Sequence, residues 1–168
     1  MKFFVYEIID ILGDPICMGN YDITSKINSI CFDSREKLKD SLFIALIGNT
    51  YDGHDFIREA CSAGAKSFII NKSKSNLFTL DCLCWAVDDT LVAYQKIALL
   101  HRSKINIPLI AITGSVGKTT TKEIVSSALS PKGKIVSSYG NNNNDIGVPK
   151  TILSATNSDE AIVIEMAM

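Results

Sequence analysis

Residues 107–129 constrain the fold of this chain more than any other stretch. An apolar run, Ile107 to Ile112, leads into Thr113-Gly114-Ser115-Val116-Gly117-Lys118-Thr119, and Lys118 to Leu129 carries a helical pattern. A strand, a glycine-bracketed turn and a helix N-terminus in that order aim several backbone N–H groups at one point. The end of the helix adds a partial positive charge there. Gly114 and Gly117 let the amides converge with no Cβ in the way, and Lys118 supplies a point charge. The Thr119 hydroxyl is of the type that ligates Mg2+. Such a loop cradles the polyphosphate of a nucleotide, so Gly114, Ser115, Val116, Gly117, Lys118, Thr119 and Thr120 are candidate ATP contacts. The general form of this loop has a further glycine at the position held here by Ile112. The loop is therefore a shorter variant.

The remaining chain alternates strand-like and helical segments. A helix is predicted over 3–12, strands over 27–32 and 42–47, a helix over 54–63 ending at Gly64, and a strand over 67–70. Trp85-Ala86-Val87 reads as a strand end. Asp88-Asp89-Thr90 then starts a helix whose apolar face is Leu91, Tyr94, Ile97, Ala98 and His101. After the glycine loop and its helix come Ile135-Val136, a helix over 148–153 and the strand 161–164. This order predicts an α/β fold: a small N-terminal α/β substrate domain over 1–87, then, over 88–168, the first part of a mostly parallel, doubly wound P-loop-type domain. The last core strand is followed by only a few residues, so the second domain is expected to be incomplete. A net charge of −1 gives no basic surface for nucleic acid. No run approaches the length of a membrane span, and Glu7 and Asp10 interrupt the N-terminal apolar stretch. A cytoplasmic monomer is expected. The cysteines at 17, 31, 61, 82 and 84 lack metal-ligand spacing and are expected to be reduced and mostly buried.

Three further constellations bear on chemistry. Glu165 closes an apolar strand, and in parallel sheets ligands gather at carboxyl strand ends, within reach of a metal held by Thr119. The tract Gly140 to Pro149, with asparagines at 141–144, either wraps a ligand or makes a turn. In the first domain, Asp33-Ser34-Arg35 and Asn49-Thr50-Tyr51-Asp52-Gly53-His54-Asp55 each also read as a turn, an ion pair or a helix start.

Taken together these segments resemble the Mur ligase family, the ATP-dependent amide-bond formers of peptidoglycan precursor synthesis. The resemblance rests on Thr113 to Glu123, on Asn142-Asn143-Asn144-Asp145-Ile146-Gly147-Val148-Pro149, on Asp33-Ser34-Arg35, on Leu42 to Leu46 with Gly48, on Asp52 to Ile57, on Gly64-Ala65, and on Val87 to Thr90. It covers nearly the whole chain from residue 28. Within the family, the loop together with the asparagine run is similar to the branch that joins D-Ala-D-Ala to UDP-N-acetylmuramoyl-tripeptide.

The resemblance implies that the first domain holds the UDP end of the muramyl-peptide, with Ser34, Arg35, Asn49, Asp52, Gly53 and His54 as substrate contacts. The second would hold ATP and Mg2+: Lys118 as the catalytic cation, Thr119 and Glu165 on the metal, Asn143 and Asn144 near the nucleotide. The family reaction runs through an acyl phosphate. Members also carry a complete central domain and a third domain that closes over ATP, so the isolated chain is expected to be inactive. Glu165-Met166-Ala167 stands where the family commonly has a glycine in the third place. Two other readings compete: a non-catalytic nucleotide or UDP-sugar-peptide binding module, including half of a split enzyme, and a small P-loop kinase. The kinase leaves the first 88 residues unexplained and has no lid.

Overall fold

The computed structural model describes residues 2–36, 38–48, 50–77, 82–140 and 142–167. They form two compact units, Lys2–Ile97 and Ala98–Met168, and the division falls within one helix. The first unit contains β1 (Phe3–Phe4), α1 (Val5–Leu12), β2 (Lys26–Ile27), β3 (Ser29–Cys31), β4 (Ser41–Ile44), α2 (Ile57–Ser62), β5 (Ser67–Asn71) and β6 (Leu83–Val87). Strands β3-β4-β5-β6 make a sheet in that order, every neighbour parallel. Its inner strands are continuous apolar runs, as a parallel sheet covered on both faces requires. Leu42, Phe43, Ile44, Phe68, Ile69 and Ile70 are fully buried, and the Phe43 and Phe68 rings meet edge-on with centroids 6.2 Å apart.

The structure departs from the expected elements in three places here. The N-terminal helix starts at Val5, because Phe3 and Phe4 pair antiparallel with Ile27 and Lys26. Glu7 stabilises that later start by accepting the Phe4 N–H at 2.9 Å. The run expected as one strand over 27–32 is split between two sheets at Asn28, whose N–H turns to the Asp40 carbonyl. The helix expected over 54–63 begins as a 3-10 turn, Gly53–Phe56, since Asp52 caps the His54 amide. It stops at Gly64, whose φ of +106° lies in the region that favours glycine.

The helix α3 (Thr90–Lys104) precedes β7 (Leu109–Ile112), α4 (Lys118–Leu129), β8 (Ile135–Ser137), α5 (Gly147–Ser154) and β9 (Ala161–Glu165). The strand order is β7-β9-β8, all parallel, so the last strand inserts between the two that precede it. All five β9 residues are buried. Its register places Glu165 opposite Ile112, at the carboxyl end of the sheet where the glycine loop begins. Among the described residues no helix is long and apolar enough to cross a membrane.

His101 lies on the buried face of α3 as its spacing predicts, with Nε2 2.8 Å from the Ala155 carbonyl. Burial pushes its pKa down against the opposing effect of that hydrogen bond. The native state therefore binds this proton less readily than the unfolded chain. Stability from the neutral ring is present above the unfolded value of about 6.5 and is lost as pH falls through the lower folded one. The melting temperature is expected to drop between pH 7 and 5 more steeply in the wild type than in His101→Gln. Parallel curves would contradict this.

Candidate functional site

The glycine loop leaves β7 at Ile112 and enters α4 at Lys118, so its shape is set by a strand and a helix rather than by its own contacts. Gly117 stands at the helix N-cap with φ +76°, and Gly114 has φ +149°; neither has a neighbour closer than 3.6 Å to a built Cβ. These glycines are required by backbone conformation, and the space they face is open. Val116 is 87% exposed at the tip. Lys118 folds back over the loop, Nζ donating to the Gly114 carbonyl at 2.5 Å.

Glu165 is the centre of the polar cluster. Its carboxylate is buried and accepts from Thr119 Oγ1 at 2.8 Å and from Asn143 Nδ2 at 2.9 Å. Those two donors, assisted by the nearby charges of Lys122 and Lys118, outweigh desolvation and hold the carboxyl below its ordinary range. It is thus an anion at neutral pH. Thr119 and Glu165 offer a hydroxyl and a carboxylate oxygen, hard donors of the kind Mg2+ accepts, while Asn143 turns its amide NH2 to the carboxylate. That donor set fits the metal expected from the sequence.

The asparagine tract divides its work. Asn143 reaches Glu165, and its carbonyl accepts the Ala167 N–H at 2.8 Å. Asn144 instead opens α5, its Oδ1 accepting from the Gly147 amide at 2.8 Å. Sequence reasoning did not single out Lys122 and Ser138, which are buried behind Glu165. Lys122 was visible only as the residue one helical turn after Lys118.

In the first unit, Ser34 and Arg35 line a cleft of about 520 Å³ with Phe32, Asp33, Tyr51, Phe56 and Glu59. Arg35 is highly exposed and pairs with Asp33 through both Nε and Nη2, at 2.8 and 2.6 Å. Ser34 Oγ is 3.4 Å from Glu59. Asp52, Gly53 and His54 are placed differently. The His54 ring is buried, with Nδ1 2.5 Å from Asp52 Oδ1 and Nε2 accepting the Asn71 N–H at 2.9 Å. Burial raises the Asp52 carboxyl, but hydrogen bonds from His54 and Lys74 outweigh it and hold the pKa down. Gly53 packs against the chain leaving β4; an added Cβ would lie 2.8 Å from Leu46 backbone atoms. These three residues build the loop that presents Tyr51, while Asn49 lies outside the described residues. All five cysteines are free thiols, Cys31 and Cys84 buried, and no group of three His, Cys, Asp or Glu side chains placed to hold a metal ion occurs among the described residues.

Residues 112–168 match the Mur ligase middle domain. The UDP-N-acetylmuramoyl-tripeptide–D-alanyl-D-alanine ligase of Synechocystis is 44% identical over 143 residues, covering 85% of this chain and 31% of the relative. The Bacillus subtilis ligase of the same name is 33% identical over 168 residues, covering the whole chain and 36% of the relative. The chain belongs to the Mur ligase family. Two solved Mur ligases agree with the fold. MurF from Acinetobacter baumannii superposes over the whole chain with a TM-score of 0.86 at 27% identity, covering 36% of its own length. MurF from Thermotoga maritima, solved in complex with ADP, gives 0.72 at 32% identity over 83% of this chain and 32% of its own. The chain thus spans about a third of the length of the Mur ligases it matches.

Proposed function

We propose that these residues supply the UDP-substrate site and the ATP phosphate cradle of an ATP-dependent ligase of peptidoglycan precursor synthesis. That ligase joins D-Ala-D-Ala to UDP-N-acetylmuramoyl-tripeptide. Residues 1–87 are the substrate domain and 88–168 the ATP-binding part. A peptide carboxylate oxygen attacks the γ-phosphorus and ADP leaves; the D-Ala-D-Ala amine then attacks the acyl carbon and phosphate leaves. In such phosphoryl transfer the protein mainly positions groups and neutralises charge. Lys118 stabilises the transferred phosphoryl group and the loop amides hold the β-phosphate, while Thr119 and Glu165 would hold Mg2+, which would offset phosphate charge. All the substrates are water-soluble, which suits a cytoplasmic enzyme.

The observation that carries this reading is the Thr119–Glu165 hydrogen bond at the mouth of the glycine loop. It joins a hydroxyl and an ionised carboxylate, 46 positions apart in sequence, and this reading gives that pair of oxygens to the nucleotide's metal. The relatives' names and the ADP complex of the Thermotoga enzyme supply the substrate classes. Calorimetric titration with MgATP and with UDP-N-acetylmuramoyl-tripeptide tests it, and both are expected to bind. Binding of MgATP with no response to the UDP ligand favours a kinase-like reading and removes the ligase assignment.

Arg35→Ala separates the two sites. Loss of an exposed cation facing a diphosphate is expected to weaken UDP-ligand binding by about tenfold, the size of one charge-assisted hydrogen bond. MgATP affinity and melting temperature should not change. An unchanged UDP-ligand affinity would remove the Ser34–Arg35 cleft from the substrate site.

A further inference from the structure

Lys122 is only 3% exposed, one helical turn beyond Lys118 on α4. Burying an ammonium is costly unless acceptors replace its water. Its Nζ donates to the Ser138 carbonyl at 2.8 Å and lies 3.3 Å from Glu123 Oε1. Ser138 is buried as well and sits just past the end of β8. Its N–H continues the ladder to the Val163 carbonyl at 3.1 Å, and its hydroxyl accepts the Glu165 N–H at 3.2 Å. On the other side of β9 the next amide, Met166 N–H, bonds the Ile112 carbonyl at 2.9 Å. The β8–β9 pairing ends at Ser137 opposite Val163, so the Ser138 hydroxyl takes over where the ladder stops. One chain of contacts therefore runs from the α4 interior through Ser138 into the backbone of Glu165. The Glu165 carboxylate is the group that holds Thr119 and Asn143.

We infer that Lys122 is a positioning residue for the metal side of the nucleotide site. By clamping Ser138 it fixes the end of β9 so that the Glu165 carboxylate stays aimed at Thr119. This rests on the nucleotide reading above. The Lys122 ammonium bonds Ser138 and adjoins Glu123, both outside the glycine loop, which separates its effect from phosphate binding itself. Its positive charge also lies close enough to favour the ionised form of Glu165. A lysine that merely filled the core would influence folding but not the metal.

The test measures ADP affinity of the full chain by calorimetry, with Mg2+ and with chelator. The wild type is expected to bind ADP more tightly with Mg2+. In Lys122→Met the gain due to Mg2+ should shrink by about tenfold or more, while the affinity in chelator shifts by less than about threefold. Ser138→Ala, which keeps the carbonyl that Lys122 holds, should reproduce the loss. Lys122→Arg, which keeps a donor, should recover part of it. If Lys122→Met does not fold, Ser138→Ala decides alone. A lowered melting temperature with an undiminished Mg2+ gain in Ser138→Ala and in any folded Lys122→Met overturns the inference and makes Lys122 a structural residue. Failure of the wild type to bind ADP at all overturns the nucleotide reading and this inference with it.

Discussion

Lys118→Ala is expected to weaken MgATP binding by about 10- to 100-fold, the equivalent of about 1.5–3 kcal/mol for a lost charge-assisted hydrogen bond. Its melting temperature should stay close to that of the wild type. The two expectations come from different contacts. In the loop the half-buried ammonium donates to the Gly114 carbonyl. Losing that bond to a neutral carbonyl costs about 1 kcal/mol or less, because water takes the place of the ammonium. With a polyphosphate in the cradle the same ammonium faces multiple negative oxygens, and an alanine leaves them without a counter-charge. The loop itself survives the change, since its shape depends on Gly114 and Gly117 and on the strand and helix that flank it. Calorimetry beside thermal melting checks both. An affinity within threefold of wild type would mean that the glycine loop is not a phosphate cradle.

The parts of this site that were legible in the sequence follow periodic rules. A strand–glycine–helix order is local, and the position of Glu165 follows from the habit of parallel sheets to gather ligands at their carboxyl ends. The register that sets Glu165 against Ile112 confirms that placement. Non-local pairing was less readable. Phe3 and Phe4 continue the helical apolar pattern of α1, and only their partners at Lys26–Ile27 draw them into a strand. Lys122 on a helix reads as a solvated charge on any residue scale; its burial depends on where β8 ends. His54 and Asp52 read in the sequence either as a turn, ion pair or helix start or, by the resemblance, as substrate contacts. In the structure they bond to each other, and His54 accepts the Asn71 amide, 17 positions away. Asp33-Ser34-Arg35 combines two readings, since its ion pair forms a turn and also borders an open cleft.

Gly147→Ala is expected to cost about 1–3 kcal/mol, the range for overpacking a well-filled site, with a fall of about 3–10 °C in melting temperature. A Cβ at this position would lie 2.4 Å from the Asn142 Cα, 2.5 Å from its carbonyl carbon and 2.7 Å from its Cβ. These are mostly backbone atoms, which cannot swing aside as a side-chain end would. The neighbouring Asn143 is tied at both ends, its amide to Glu165 and its carbonyl to the Ala167 N–H. Pushing the tract outward therefore strains the hydrogen bond that orients Glu165, and the gain in ADP affinity from Mg2+ should fall with stability. Gly140→Ala is the control. Its φ is +55° and nothing lies within 4 Å of the added carbon, so only about 1 kcal/mol of backbone strain is expected. If the two variants melt together and bind MgADP equally, close approach at Gly147 does not hold the asparagine tract. If Gly147→Ala alone loses the Mg2+ gain, the run Asn142-Asn143-Asn144 is fixed to the metal side of the site by steric fit at a single glycine.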